Sequence, residues 1–242
     1  STIRLVGTAD LGANEYYIQA RGYLQRFDDS RNVTTAISLL HRALREDPDF
    51  VLATAGLAEA HWRMFDATDD VAHADSAREY GRQVERRRNL PAQVYVSLGV
   101  VYEGTGRAEL ALETFRKALQ RDPGNIDAHL GRARALAALD RPDEAEAAYL
   151  EVIQRKPDYW VGYHDLAVFY YRQGELEKSA EQFRKEIEMT PDNMIAHRNL
   201  GGVYYYLGRW DEAERHLRRA IELGPSPGAV SNLATLYFHR GD

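Results

Sequence analysis

Eight histidines, the acid pairs Asp143-Glu144 and Asp211-Glu212, and the run Arg86-Arg87-Arg88 are the residues whose types could do chemistry. The histidines would ligate a metal or move protons, the acids would serve as general acid and base, and the arginines would bind phosphate. Their spacing supports none of these. The histidines are scattered, and no His-Glu-x-x-His pair occurs to seat zinc. Cysteine is absent, which excludes disulfides and thiolate metal sites and leaves the redox compartment open. There is no Gly-x4-Gly-Lys-Ser/Thr phosphate loop, no dinucleotide Gly-x-Gly-x-x-Gly and no Gly-x-Ser-x-Gly elbow. The acid pairs fit the first turn of a helix and the arginine run fits a helix end, where each complements the dipole. No catalytic residue, cofactor or metal is expected, and the chain reads as a non-enzyme.

The elements that carry these residues follow from a repeat. Prolines fall at 123, 157, 191 and 225, each step 34 residues. Other types keep the same step: Leu98, Leu166 and Leu200; Tyr102, Leu136, Tyr170 and Tyr204; Ala111, Ala145, Ser179 and Ala213; Phe115, Tyr149, Phe183 and Leu217. Gly106, Gly174 and Gly208 form a fifth phase, with Asp140 in that place once. Leu98, Gly99 and Tyr102 share one face of a first helix, and Ala111, Phe115 and Ala118 one face of a second. The glycine supplies the left-handed residue that ends the first helix. The proline ends the second. The unit is therefore an antiparallel helix pair, with small residues where backbones approach and large ones beside them. His129 and His197 share one repeat place and are expected to be semi-buried packing residues.

These motifs resemble the tetratricopeptide repeat family. Leu98-Gly99, Tyr102, Gly106, Ala111, Phe115, Ala118 and Pro123 carry its signature, as do Leu200-Gly201, Tyr204, Gly208, Ala213, Ala220 and Pro225. The resemblance implies an all-α fold, a right-handed α-solenoid with first helices lining the concave face. The expected layout is an extended lead-in over 1–13, then a solenoid over 14–242. Its units lie near 17–50, 51–91, 92–125, 126–159, 160–193 and 194–226, with a half unit at 227–242. Leu57 to Leu98 is 41 residues rather than 34, and the extra seven are expected in the hairpin around Met64–Asp70, with Asp69 or Asp70 capping the next helix. Arg132 stands in a core leucine place that Leu130 would take over, and Glu186 stands in a place normally small and apolar. The segments Ala58-Glu59-Ala60-His61-Trp62 and Ser231-Asn232-Leu233-Ala234-Thr235-Leu236-Tyr237-Phe238 are similar to repeats behind bacterial serine/threonine kinases and transcription-regulator modules.

The family exposes the second, fifth, ninth, twelfth and thirteenth places of each first helix toward the groove. Acids on that stripe, Glu59, Glu103 and Asp127, fall in the N-terminal half. From the fifth unit onward the stripe carries His164, Arg172, Arg198 and His239 among Tyr171, Tyr205, Tyr206 and Phe238. Arginine with aromatics is the composition of an interface hot spot. Asn199 and Asn232 hold the sixth place, where amides can clamp an extended backbone. Val96, Leu130 and Ser231 are wrong for the family's carboxylate clamp.

The expected function is an interaction scaffold whose groove holds a protein or peptide, with the partner's acidic groups toward the C-terminal units. The alternative is self-association through the last helix, whose Leu233, Leu236 and Tyr237 are expected to be uncovered. A net charge of −6 with interspersed signs gives no basic stripe, so no nucleic-acid partner is expected. No apolar run approaches the roughly 18–20 residues that span a bilayer, and the start has no signal-peptide pattern. Beginning at Ser1 rather than Met is expected of a fragment or processed form. The compartment is not legible.

Overall fold

The computed structural model describes residues 8–27 and 29–241. Among them are thirteen α-helices and no strand. The helices form two compact units that divide after Arg141. The first holds α1 (Leu11–Leu24), α2 (Ser30–Glu46), α3 (Val51–Thr68), α4 (Val71–Glu85), α5 (Ala92–Gly104), α6 (Ala108–Arg121) and α7 (Ile126–Ala138). The second holds α8 (Pro142–Arg155), α9 (Trp160–Arg172), α10 (Leu176–Met189), α11 (Met194–Tyr206), α12 (Trp210–Leu223) and α13 (Pro227–Arg240). The fold class is an all-α solenoid of repeated helix pairs.

One turn is used four times. Gly106, Asp140, Gly174 and Gly208 take positive φ of 73°, 55°, 78° and 70°. The next residue's N–H then reaches back five positions: Arg107 to the Tyr102 carbonyl, Arg141 to Leu136, Glu175 to Tyr170 and Arg209 to Tyr204, at 2.9–3.1 Å. This closes the first helix and satisfies its last carbonyls. The small-residue phase is fully buried in every pair: Ala36, Ala77, Ala111, Ala145, Ser179 and Ala213 are each 0% exposed. Tyrosines at one phase also tie first helices to the preceding second helix. The hydroxyls of Tyr102, Tyr170 and Tyr237 donate to Glu85, Glu146 and Glu214, the last two at 2.6 and 2.7 Å.

Two boundaries differ from expectation. Helix α1 starts at Leu11, inside the stretch read as an extended lead-in, because the Asp10 carboxylate accepts from the Ala13 amide at 2.7 Å and caps it. The expected lead-in over residues 1–7 lies outside the described residues. The extra residues between α3 and α5 do not sit in a hairpin. Instead α3 runs on to Thr68, and the turn is only Asp69, left-handed at φ 56°, and Asp70, which caps α4 through the Ala72 amide at 3.0 Å. The remainder lengthen α4 and the 86–91 connection. The continuation of α3 packs Phe65 on Trp62, whose ring lies against Gly104 of α5. Leu130 is buried and Arg132 half-buried, as the swap at that place requires.

A methyl placed on Gly201 would lie 3.3 Å from the Ala213 carbonyl oxygen, so α11 and α12 touch backbone to backbone there. Ala213→Leu is expected to overpack this crossing and cost about 1–3 kcal/mol. A thermal melt indistinguishable from the parent would contradict that geometry.

Two histidine pairs join first to second helices. His61 and His73 face each other Nδ1 to Nδ1 at 2.8 Å, and His197 and His216 at 3.0 Å. His197 Nε2 also lies 3.0 Å from the Pro191 carbonyl and His129 Nε2 lies 2.9 Å from that of Pro123. An Nε2–H that donates to Pro191 leaves His197 Nδ1 as acceptor for an Nδ1–H of His216. Burial first, and then His73 and His41, depress His61 to about 4. Burial, His197 and Arg215 do the same to His216. A histidine whose folded value is depressed stabilises the fold above its unfolded value of about 6.5. That stability is lost as pH falls from there toward about 4. The melting temperature is therefore expected to drop across this window, and His61→Gln with His216→Gln to flatten the drop. An unchanged profile in the double variant would contradict it.

Candidate partner-binding surface

Helices α9, α11 and α13 carry the residues picked out by the repeat phases, all within the second unit. Asn193 starts α11 by accepting from the Ile195 and Ala196 amides at 3.0 and 3.3 Å, which fixes the helix that bears Arg198, Asn199, Tyr205 and Tyr206. The aromatics form one connected series. Tyr171 and Tyr206 have ring centroids 5.9 Å apart, Tyr206 and Tyr205 5.3 Å, Tyr205 and His239 5.8 Å, and His239 and Phe238 5.9 Å. Tyr205 is half-buried and packs on the core of Leu200, Tyr204 and Leu236. Tyr171, Tyr206 and Phe238 stand out at 40%, 62% and 81% exposure. Burial, and a hydrogen bond with Tyr206, raise the Tyr171 phenol above its ordinary value.

Arg172 is exposed and Arg198 half-buried. Neither pairs with a carboxylate among the described residues. Arg198 instead gives Nε and Nη2 to the Asn199 amide oxygen at 3.3 and 3.2 Å. Asn232 is exposed beside Gly202 of α11. The sixth place in α9 is Asp165, so the amides span α11 and α13 only.

His164 is placed differently from the others. Its Nδ1 lies 2.9 and 3.1 Å from the two carboxylate oxygens of Glu186, and its ring packs edge-on to Phe183. Glu186, in the place expected to be small and apolar, is 0% exposed. It also accepts from the Asn193 side-chain amide at 3.1 Å, and so joins α9, α10 and the cap of α11. Burial pushes its carboxyl above the ordinary range, with Asp165 adding to this and His164 and His197 opposing it.

The uncovered side of α13 is not the one expected. Leu236 is 0% exposed within the core of Phe183, Leu200 and Tyr204, and Leu233 is partly covered. Tyr237 donates to Glu214 and accepts from Arg218 at 2.7 Å. The exposed apolar stripe is Val230, Ala234 and Phe238, one turn apart on the opposite side.

In the first unit Glu59, on the equivalent stripe, is closed off by charged partners. Glu59 is 2% exposed and binds Arg21, Arg63 and Ser97. Arg21 further lies 3.6 Å from Asp127. Arg21 carries no repeat marker, and nothing in the sequence pointed to it.

Family models for the tetratricopeptide repeat match residues 24–72, 66–126, 104–167 and 161–226. Three solved structures share the fold. Human IFIT1, solved as a dimer with PPP-AAAA, aligns with a TM-score of 0.77 at 20% identity, over 95% of this chain and 55% of its own. The Cut9–Hcn1 hetero-tetramer of APC/C gives 0.69 at 18%, over 94% and 43%. MamA gives 0.53 at 24%, over 65% and 92%. No curated protein matches the sequence.

Proposed function

We propose that this chain, which belongs to the tetratricopeptide repeat family, is a non-catalytic scaffold that docks a protein partner on α9, α11 and α13. One observation carries the reading: exposed Tyr171, Tyr206 and Phe238 lie in one ring series on the same helices as two arginines that have no carboxylate partner among the described residues. Rings of this kind bury large area at low entropic cost, and arginine adds directional pairing with an acid. The partner is a peptide or helix that places apolar side chains on the rings and acidic groups on the guanidinium groups. The first unit contributes little, because Glu59 is already consumed by Arg21 and Arg63.

A second reading, self-association, draws on the exposed stripe Val230, Ala234 and Phe238. Solution mass against concentration separates it, since a scaffold for another protein stays monomeric. Aromatics with arginine also stack nucleobases, although the net charge of −6 opposes a polyanion. Affinity capture with nuclease treatment tests the choice, using the parent, Tyr206→Ala and the exposed-site control Leu150→Ala as baits. The expected result is a protein retained by parent and control and lost with Tyr206→Ala. Identical captures on all three baits, or retained nucleic acid in place of protein, would contradict the proposal.

A further inference from the structure

We infer that the gap over Gly202, between α11 and α13, takes a proline-rich segment of the partner in the polyproline II conformation, within the docking surface proposed above, on which the inference rests. Asn199, Gly202 and Tyr206 stand at i, i+3 and i+7 on α11 and so share one face. Gly202 leaves that face bare. Beyond its own helix, a methyl placed there would meet only Asn232 Nδ2 of α13, at 3.8 Å, among the described residues. The floor of the gap is therefore helix backbone, with Asn199 and Tyr206 at its ends and Asn232 at its side. An incoming main chain can come close here, where any larger residue would hold it off.

The amide of Asn199 selects which main chain. Its Oδ1 accepts from Arg198 Nε at 3.3 Å and Nη2 at 3.2 Å, which uses both lone pairs. Its Nδ2, on the far side of the amide, keeps two donors that no described residue accepts. An ordinary extended residue brings an N–H as well as a C=O, and an amide that grips both must accept and donate. Asn199 can only donate. The residue that fits opposite it brings a carbonyl and no N–H, which is proline. A polyproline II chain leaves its carbonyls free of internal bonds and is already stiff, so it loses little entropy on docking. Its three-residue turn rises about 9 Å, and packed helices lie roughly 8–10 Å apart. Prolines three apart thus keep step with α9, α11 and α13, each of which offers one exposed ring: Tyr171, Tyr206 and Phe238. Arg172, exposed at the end of α9, suits an acidic residue of the same segment.

Fluorescence anisotropy of the full chain with labelled peptides tests this. The probe is four repeats of Pro-Pro-Glu, and the control is four repeats of Ala-Ala-Glu, equal in length and charge. A further peptide carries N-methylalanine in place of each proline, which removes the ring and still lacks the N–H. The proline peptide is expected to bind about tenfold or more tightly than the alanine peptide, with the N-methylalanine peptide between them. Gly202→Leu fills the gap, meets no clash at its first carbon and improves helix propensity. It should therefore melt no lower than the parent, yet bind the proline peptide about tenfold or more weakly. Asn199→Ala should weaken the proline peptide about threefold or more and shrink its lead over the alanine peptide. Equal affinity for the two peptides, no binding of the proline peptide, or parental affinity in Gly202→Leu would overturn the inference. Where that happens while capture of the natural partner still depends on Tyr206, the docking surface stands without it. Proline-peptide binding that Gly202→Leu abolishes, in a chain whose capture ignores Tyr206→Ala, would keep the gap and remove the wider surface.

Discussion

Glu59→Ala is expected to destabilise the first unit by about 3–5 kcal/mol, the usual cost of removing one side of a buried charge pair. Its carboxylate accepts from Arg21 Nη1 at 2.7 Å, from Arg63 Nε and Nη2 at 3.1 and 2.9 Å, and from Ser97 Oγ at 2.8 Å. This joins α1, α3 and α5 through one side chain. The arginine side chains are only 16% and 17% exposed, so alanine strands two cations away from water. Burial raises the Glu59 carboxyl, but Arg21 and Arg63 outweigh it and hold it at about 2. The sign follows: this stabilisation is complete above the ordinary carboxylate value and is lost as pH falls toward about 2. Urea unfolding of the parent, Glu59→Ala and Glu59→Gln measures it, with glutamine expected to fall between the two. A Glu59→Ala variant within about 1 kcal/mol of the parent would show that Arg21 and Arg63 regain hydration freely.

Phe115→Ala should cost about 3–5 kcal/mol. The ring is 0% exposed and wedged between α5 and α7. A methyl on Gly99 would come within 2.6 Å of it, and one on Gly131 within 2.2 Å. Since both sides are closed, the ring cannot yield to either methyl. Gly131→Ala alone is therefore expected to destabilise by about 1–3 kcal/mol despite alanine's better helix propensity. In the Phe115→Ala background the same change should become stabilising, because the methyl enters vacated space and the propensity gain, about 1 kcal/mol, is unopposed. Denaturation of the four proteins in this cycle checks the reversal of sign. Equal destabilisation by Gly131→Ala in both backgrounds would place the ring elsewhere.

Phe115, Ala213, Gly106 and Gly208 were legible because each repeat place has one physical task, and the 34-residue step reveals the task several times over. The aromatic series was legible for the same reason, since Tyr171, Tyr205, Tyr206 and Phe238 follow from helix phase alone. Phase does not report partners. Arg21 lies on a loosely patterned helix and reaches a carboxylate 38 positions away. His164 was assigned to the groove by its place, but Glu186 from α10 draws it inward. Glu186 itself broke the pattern and marked a buried network, although the sequence does not say with whom it pairs. The long α3 was missed because a seven-residue excess suggests a loop, whereas Trp62 and Phe65 give a longer helix something to pack on. On α13, Leu236 and Phe238 are both apolar, and only packing into the core shared with α11 and α12 decides that the first is covered and the second exposed.

In the proposed docking mode, binding is carried by α11 and its neighbours in the second unit. Its most direct test is a calorimetric titration of the captured partner against the parent and three single variants: Arg198→Ala, Tyr206→Ala and Glu103→Ala, the last on α5 of the first unit. A charge-assisted bond to arginine is worth about 1.5–3 kcal/mol. Arg198→Ala is therefore expected to bind roughly ten- to a hundredfold more weakly. Tyr206→Ala should also bind more weakly, and both should melt close to the parent. Glu103→Ala should bind nearly as the parent does. Weakened binding by Glu103→Ala, with Arg198→Ala and Tyr206→Ala binding normally, would contradict the assignment of the docking surface.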